Sequence, residues 1–231
     1  MLKKLYLSVV NSDGESEKLL KLMKKYAQRG SRILDVGCGY GRNLDLLLNA
    51  GYGNATGVEI NAEIVERNKS CGRACVTVDE FNRTADKFDI ILMSHVVEHF
   101  APADLKNFID GYLDRLVPRG YLVVATPLMS DYFYDDFDHI KPYHPSGILM
   151  VFGGGGAQVQ YYSRNKLKLV DLWFRKSHYH MSFFRSNYVM TPATRLIQFA
   201  TFISAFAFLL SNRLLGKKDG WVGMFQKVGS Q

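Results

Sequence analysis

The sequence predicts an α/β fold, a doubly wound, mostly parallel sheet with helices on both faces, and three observations predict it. Short apolar strands alternate with helical stretches along the first half of the chain. The first strand, Ile33-Leu34-Asp35-Val36, runs straight into Gly37-Cys38-Gly39-Tyr40-Gly41. The chemistry-bearing residues fall just past the strands, where open α/β sheets bind their ligands. At 231 residues and 47% hydrophobic the chain fills one domain, 1–231, and two full domains would be cramped. Its expected parts are a covering helix within 1–30, a nucleotide-binding core over 31–126 and an acceptor-side region over 127–231.

Ser12-Asp13-Gly14-Glu15 reads as a capping box, and Leu19, Leu22, Met23 and Tyr26 recur at helical spacing before Gly30. Glycines at 37, 39 and 41 let the backbone turn tightly and approach a ligand where a Cβ would collide. A helix from Arg42 to Asn49 then aims free amides at that ligand. Asp35 stands where a carboxylate can meet a cation or a hydroxyl. The second strand, Ala55 to Val58, ends in Glu59, an acid suited to two ribose hydroxyls at a spacing of about 20 residues. Asn61 caps a helix from Ala62 to Ser70. A third strand, Ala74 to Val78, leads to Asp79-Glu80-Phe81, an acceptor for an exocyclic amine beside an aromatic face. The fourth, Phe88 to Ser94, is followed by His95-Val96-Val97-Glu98-His99. Pro102 opens a helix with Leu105, Phe108, Ile109, Tyr112 and Leu116 on one face, and Leu116 to Val124 contains the fifth strand.

These five motifs, in this order, resemble a class I S-adenosylmethionine-dependent methyltransferase over roughly residues 31–126. The resemblance implies a Rossmann-like seven-stranded sheet with an antiparallel last strand, S-adenosylmethionine as cofactor and methyl transfer (EC 2.1.1.-) as activity. It assigns Asp35, Gly37 and Gly39 to the methionine end, Glu59 to the ribose, Asp79 and Glu80 to the adenine edge and Phe81 to the adenine face, with Cys38 and Ile60 also counted as cofactor-binding. Ser94 and His95 should border the methyl group. A substrate oxygen needs a base, and histidine matches that task near neutral pH. The candidates are His95, His99, His139 and His144. His139 is preferred, because Asp138-His139-Ile140-Lys141-Pro142-Tyr143-His144-Pro145 resembles the histidine-bearing segment after the fifth strand in small-molecule and glycan methyltransferases. Small-RNA 2′-O-methyltransferases are similar around Glu98-His99 and hold a metal there, but their first acid is His95 in this chain, so no metal is expected.

Beyond Thr126 the alternation weakens. Asp131 to Gly147 reads as a lid. A helix from about Ser146 ends at Gly153 to Gly156, an insertion covers Ala157 to Lys168, Leu169 to Phe174 is strand-like, and Trp221 to Val228 is the expected antiparallel last strand. Residues 196–212 carry no charge. Packing inside the fold or in a homodimer is the first reading of this stretch. A helix lying in a membrane surface is the second, and it is short for a span.

The net charge of +7 is unevenly placed: +4 over 1–30, −3 over 31–130 and +6 beyond. Basic flanks suit an anionic acceptor or a membrane surface, but they are not interleaved with aromatic residues as a nucleic-acid stripe. Three cysteines without metal spacing suit a reducing compartment. The run Leu5 to Val10 is too short for a signal peptide, so the expected location is the cytoplasm, with peripheral membrane contact through 196–212. The primary reading is O-methylation of a small molecule or sugar. Lipid or quinone head groups come next, then RNA ribose. A non-catalytic cofactor-binding scaffold is disfavoured by the intact acids Asp35, Glu59 and Asp79.

Overall fold

The computed structural model describes residues 14–130, 132–155, 158–180 and 189–228. The capping box expected at Ser12-Asp13 lies outside them, as does Asp131. Seven strands form one sheet in the order β3-β2-β1-β4-β5-β7-β6: β1 (Ile33–Val36), β2 (Ala55–Glu59), β3 (Cys75–Thr77), β4 (Phe88–Ser94), β5 (Leu116–Pro127), β6 (Leu167–Ser177) and β7 (Lys217–Lys227). The first five run parallel, with Asp35 opposite Gly57 on one side and Leu92 on the other. The sheet is mixed, with antiparallel last strands, as expected. Every residue of β1 is buried, the signature of a central strand covered on both faces.

Helices α1 (Glu15–Tyr26), α2 (Arg42–Asn49), α3 (Ala62–Ser70), α4 (Val78–Asn82) and α5 (Pro102–Leu113) follow the expected alternation, and α6 (Pro145–Phe152) and α7 (Pro192–Leu210) come later. Leu19, Leu22 and Met23 of α1 meet Ile33, Leu44, Leu47, Ile90 and Val123 in the core. Each such side chain, fully buried, contributes about 1.5–3 kcal/mol.

Three boundaries depart from expectation. β3 stops at Thr77, because Thr77 Oγ1 accepts the Glu80 amide (3.1 Å) while Glu80 accepts the Thr77 amide (2.7 Å), a capping box that starts α4. Leu116 opens β5 instead of closing the face of α5. The last strand starts at Lys217, four residues before Trp221.

By contacts, the chain divides into two compact units. One comprises Glu15–Trp173 and Trp221–Gln231, the other Met1–Gly14 and Phe174–Gly220. In the larger unit, Asp110 of α5 is fully buried and holds the segment before β6, accepting from Ser163 Oγ (2.5 Å) and Asn165 Nδ2 (3.0 Å). In the smaller unit, Arg175 pairs with Asp219 at 3.0 Å, and α7 opens on a capping box between Thr191 and Thr194.

Candidate active site

The turn after β1 takes the conformation its glycines permit. Gly37 and Gly39 have φ of 66° and 50°, the left-handed region that L side chains rarely adopt. A Cβ on Gly37 would come within 2.8 Å of Val96 Cγ2, whereas one on Gly39 would enter open space. That open space is the cradle a ligand needs. Glu59, at the end of β2, accepts the Gly39 amide through Oε2 and the Asn61 amide through Oε1, each at 3.0 Å. The two bonds fix the carboxylate beside the cradle, and each oxygen keeps a lone pair for hydroxyl donors.

Asp35 is 1% exposed, and neither carboxylate oxygen has a hydrogen-bond partner among the described residues. Burial pushes its pKa up to about 7; the neighbouring Asn43 opposes this and the Glu59 charge adds to it. An orphaned buried acid beside an open glycine cradle fits a cofactor that brings a cation and ribose hydroxyls. Ile60 is 85% exposed directly after Glu59.

Other members of the expected cofactor set are used differently. Cys38 points inward, its Sγ 3.5 Å from that of Cys75, and burial pushes its thiol well up; its amide donates to Val58. Glu80 is engaged by the Thr77 cap and by Lys69 at 3.6 Å. Phe81 is buried, stacked on Tyr112 at 5.4 Å under the Arg115 guanidinium. It fills the core because α4 turns its apolar residue inward, and this corrects its expected place on the adenine face. Asp79 remains exposed at the start of α4.

Past β4 the chain builds the second half of the site. Ser94 is partly exposed at the strand end. His95 sits at φ 56°, a strained conformation for a residue with a Cβ, of the kind that persists where its surroundings hold it. Its Nε2 lies 3.1 Å from Glu15 Oε1 and its Nδ1 3.3 Å from Glu98 Oε1. Burial opposes the charged imidazole, but the two carboxylates outweigh it and raise the pKa to about 9. His95 is therefore a cation at neutral pH, which corrects its candidacy as a base. Glu15 was not recognised in the sequence as part of the site. A buried acid 80 residues away carries no local signal.

Val97–His99 forms one 3-10 turn, so the residues at 95, 98 and 99 do not lie on an α-helical face. Glu98 is fully buried and its Oε2 accepts from Thr126 Oγ1 at 2.9 Å. Its backbone carbonyl accepts from Ile140 (2.9 Å) and Lys141 (3.1 Å), tying the lid to the end of β4. Trp221 Nε1 donates to the Tyr143 carbonyl at 2.7 Å and Tyr143 Oη to that of Phe100 at 2.9 Å. The lid is thus a pinned loop.

That loop brings His139 against His99, with ring centroids 5.0 Å apart. His139 Nδ1 is 2.7 Å from the Phe133 carbonyl and His99 Nδ1 is 3.1 Å from that of Asp138. A carbonyl only accepts, so both Nδ1 atoms carry protons and both Nε2 atoms keep lone pairs in the neutral ring. Ligand atoms of Glu98, His99 and His139 lie within 4.8 Å of one another. His144 is the N-cap of α6, its Nδ1 engaged with Ser146 Oγ at 2.8 Å; the structure gives this third base candidate a capping role. A cavity of about 410 Å³ bordered by Ser31, Asp89 and Tyr121 lies at the amino ends of β1 and β4, the opposite edge from these groups.

A Rossmann-like sheet whose first strand ends in an orphaned acid and a glycine cradle, with a ribose-type acid on the second strand and a histidine cluster past the fourth, defines a class I methyltransferase site. The chain matches the methyltransferase domain family over residues 11–189 and belongs to it; its cofactor is S-adenosylmethionine. A ubiquinone biosynthesis O-methyltransferase of Chelativorans sp. (strain BNC1) is 36% identical over 104 residues, 42% of this chain and 40% of that protein. The match thus spans about two fifths of the relative's length. Among solved structures, an S-adenosylmethionine-dependent methyltransferase from Archaeoglobus fulgidus superposes with a TM-score of 0.58 at 21% identity, covering 97% of this chain and 99% of that one. Coclaurine N-methyltransferase, bound to N-methylheliamine and S-adenosylhomocysteine, gives 0.54 at 14% identity, covering 92% and 72%. These likenesses bear on the fold.

Proposed function

We propose that this chain transfers a methyl group to a phenolic oxygen of a small, lipophilic ring of the quinone-precursor type, in the cytoplasm. Resemblance to quinone O-methyltransferases supports the ring over a sugar. The observation that carries the chemistry is the anchoring of His139, whose Nδ1 donates to the Phe133 carbonyl at 2.7 Å and whose Nε2 faces the Asp136 carboxylate at 3.7 Å. In this reading the cofactor supplies a methyl group on a sulfonium. Asp35 and Glu59 bind and orient it, the pinned lid excludes water, and His139 Nε2 takes the acceptor hydroxyl's proton. A positioned base contributes about 10² to 10⁴ in rate, and alignment of the reactants accounts for much of the remainder.

A second reading of the same site rests on the ligand atoms of Glu98, His99 and His139, which lie within 4.8 Å of one another. Glu98, His99 and His139 could hold a divalent cation that lowers the hydroxyl pKa in place of a general base. Ring nitrogens turned outward by Nδ1–H donation to carbonyls are the arrangement metal-bound histidines use.

The test follows methyl transfer by mass spectrometry from S-adenosylmethionine to prenylated catechols, with sugar nucleotides and amines alongside. His139→Gln should lower kcat by about 10² or more with cofactor affinity unchanged. Chelator-insensitive turnover supports the base, and loss restored by Mg²⁺ supports the cation. Exclusive N-methylation, or a His139→Gln rate equal to wild type, would sink the proposal.

A further inference from the structure

The smaller unit carries a helix whose apolar side faces outward. Along α7, Leu196, Phe199, Ile203, Phe206 and Leu210 are 69, 60, 51, 50 and 74% exposed, at alternating steps of three and four that place them on one stripe. The opposite face holds Thr194, Thr201, Ala205 and Phe208, all at most 5% exposed. Apart from Phe208, small and polar residues are buried while large apolar ones meet solvent, the reverse of a helix whose hydrophobic face covers its own core. No charge occurs from 196 to 212, and Arg195 and Arg213 bracket the stretch. The segment 174–220 contains seven Lys and Arg against one Asp, and that Asp, Asp219, is paired with Arg175.

From these features we infer that α7 docks, lying in the plane, on a bilayer surface rich in anionic headgroups. The apolar stripe enters the boundary between headgroup and acyl chain, and the basic excess of the unit meets the lipid phosphates. By length and composition α7 could also cross a membrane, but its inner face is committed to its own unit. Phe208 lies 6.4 Å from the His178 ring, and Gly216 is so close that a Cβ there would come within 2.7 Å of Phe208. A helix packed along one side and apolar along the other suits an interface, where one side meets protein and the other lipid. Charge complementarity selects the membrane over a second copy of the chain: two copies would bring together two segments 174–220, each of net +6. The inference stands on α7 and its charges and is independent of the methyl acceptor.

Vesicle co-sedimentation of the full chain tests it, using phosphatidylcholine alone or mixed with phosphatidylglycerol. Binding is expected to the mixed vesicles, weaker to phosphatidylcholine, and reduced severalfold by raised salt. The variant Phe199→Ser/Phe206→Ser removes two exposed rings and should lower the bound fraction at least about tenfold, with the melting temperature and cofactor titration unchanged. Absence of pelleting would overturn the inference, as would pelleting equal to wild type in the variant. A wild-type dimer in analytical ultracentrifugation that the variant abolishes, without vesicle binding, would assign the stripe to a second copy and equally overturn it.

Discussion

Helices α5 and α7 both begin with proline and both are rich in apolar residues, yet they spend them in opposite directions. α5 buries Leu105, Ile109, Tyr112 and Leu113 beside a fully buried Asp110, whereas α7 buries two threonines, an alanine and one phenylalanine and exposes its larger residues. Composition therefore does not decide which way a helix faces; its neighbours do. α5 follows a strand of the parallel sheet and must cover it. α7 lies in a separate compact unit, where half its circumference remains open.

The contrast breaks most visibly through truncation. Ile109→Ala, at a fully buried site, should cost about 2–5 kcal/mol and lower the melting temperature by roughly 5–15 °C. Phe199→Ala in α7 should stay within about 0.5 kcal/mol. Equal losses in thermal scans would show that the α7 stripe is covered in solution.

Asp35→Asn sharpens the division between stability and binding inside the larger unit. Its pKa of about 7 against an ordinary 3.8 means that the folded protein prefers the neutral acid, so the ionised group destabilises increasingly as pH rises from about 4 to 7. At roughly 1.4 kcal/mol per pKa unit that penalty reaches up to about 4 kcal/mol above pH 7. The amide should therefore stabilise the cofactor-free protein at pH 8 while weakening cofactor affinity, read by paired melts and calorimetric titration. A wild-type affinity in the variant would remove Asp35 from the site. Glu59→Ala is expected to weaken the same titration about tenfold, about 1.4 kcal/mol, and also to release the Gly39 and Asn61 amides.

The smallest effect compares two histidines. His95 in the larger unit has a folded pKa of about 9, above its ordinary 6.5, so its stabilisation is complete below about pH 6.5 and lost as pH rises through 9. His178 in the smaller unit is buried, which lowers its pKa to about 4; its contribution is complete above about pH 6.5 and lost as pH falls toward 4. His95→Gln should flatten the alkaline limb of a pH-stability profile and His178→Gln the acid limb. Variants that leave both limbs unchanged would contradict the assignment.

The strand-and-glycine turn, the Asn61 cap, the Pro102 helix start and the positions of Asp35 and Glu59 were legible in the sequence. Each is set within a few residues, by a conformation or cap that those residue types favour. Phe81 was misplaced because the short helix that the Thr77–Glu80 cap starts turns it toward Tyr112. The capping of α6 by His144 was not legible, because in sequence it looks like any loop histidine.

By itself the sequence determined the sheet, the cofactor cradle and the existence of an uncharged, helix-patterned stretch over 196–212, since periodicity, turn chemistry and caps are short-range properties of the backbone. Tertiary structure alone decided that Glu15 and Glu98 charge His95, that the pinned lid sets His139 beside His99, and that α7 turns its large side chains outward. Those outcomes depend on burial and on partners up to 80 residues apart. Electrostatic and packing energies follow distance in space, which no local spacing encodes.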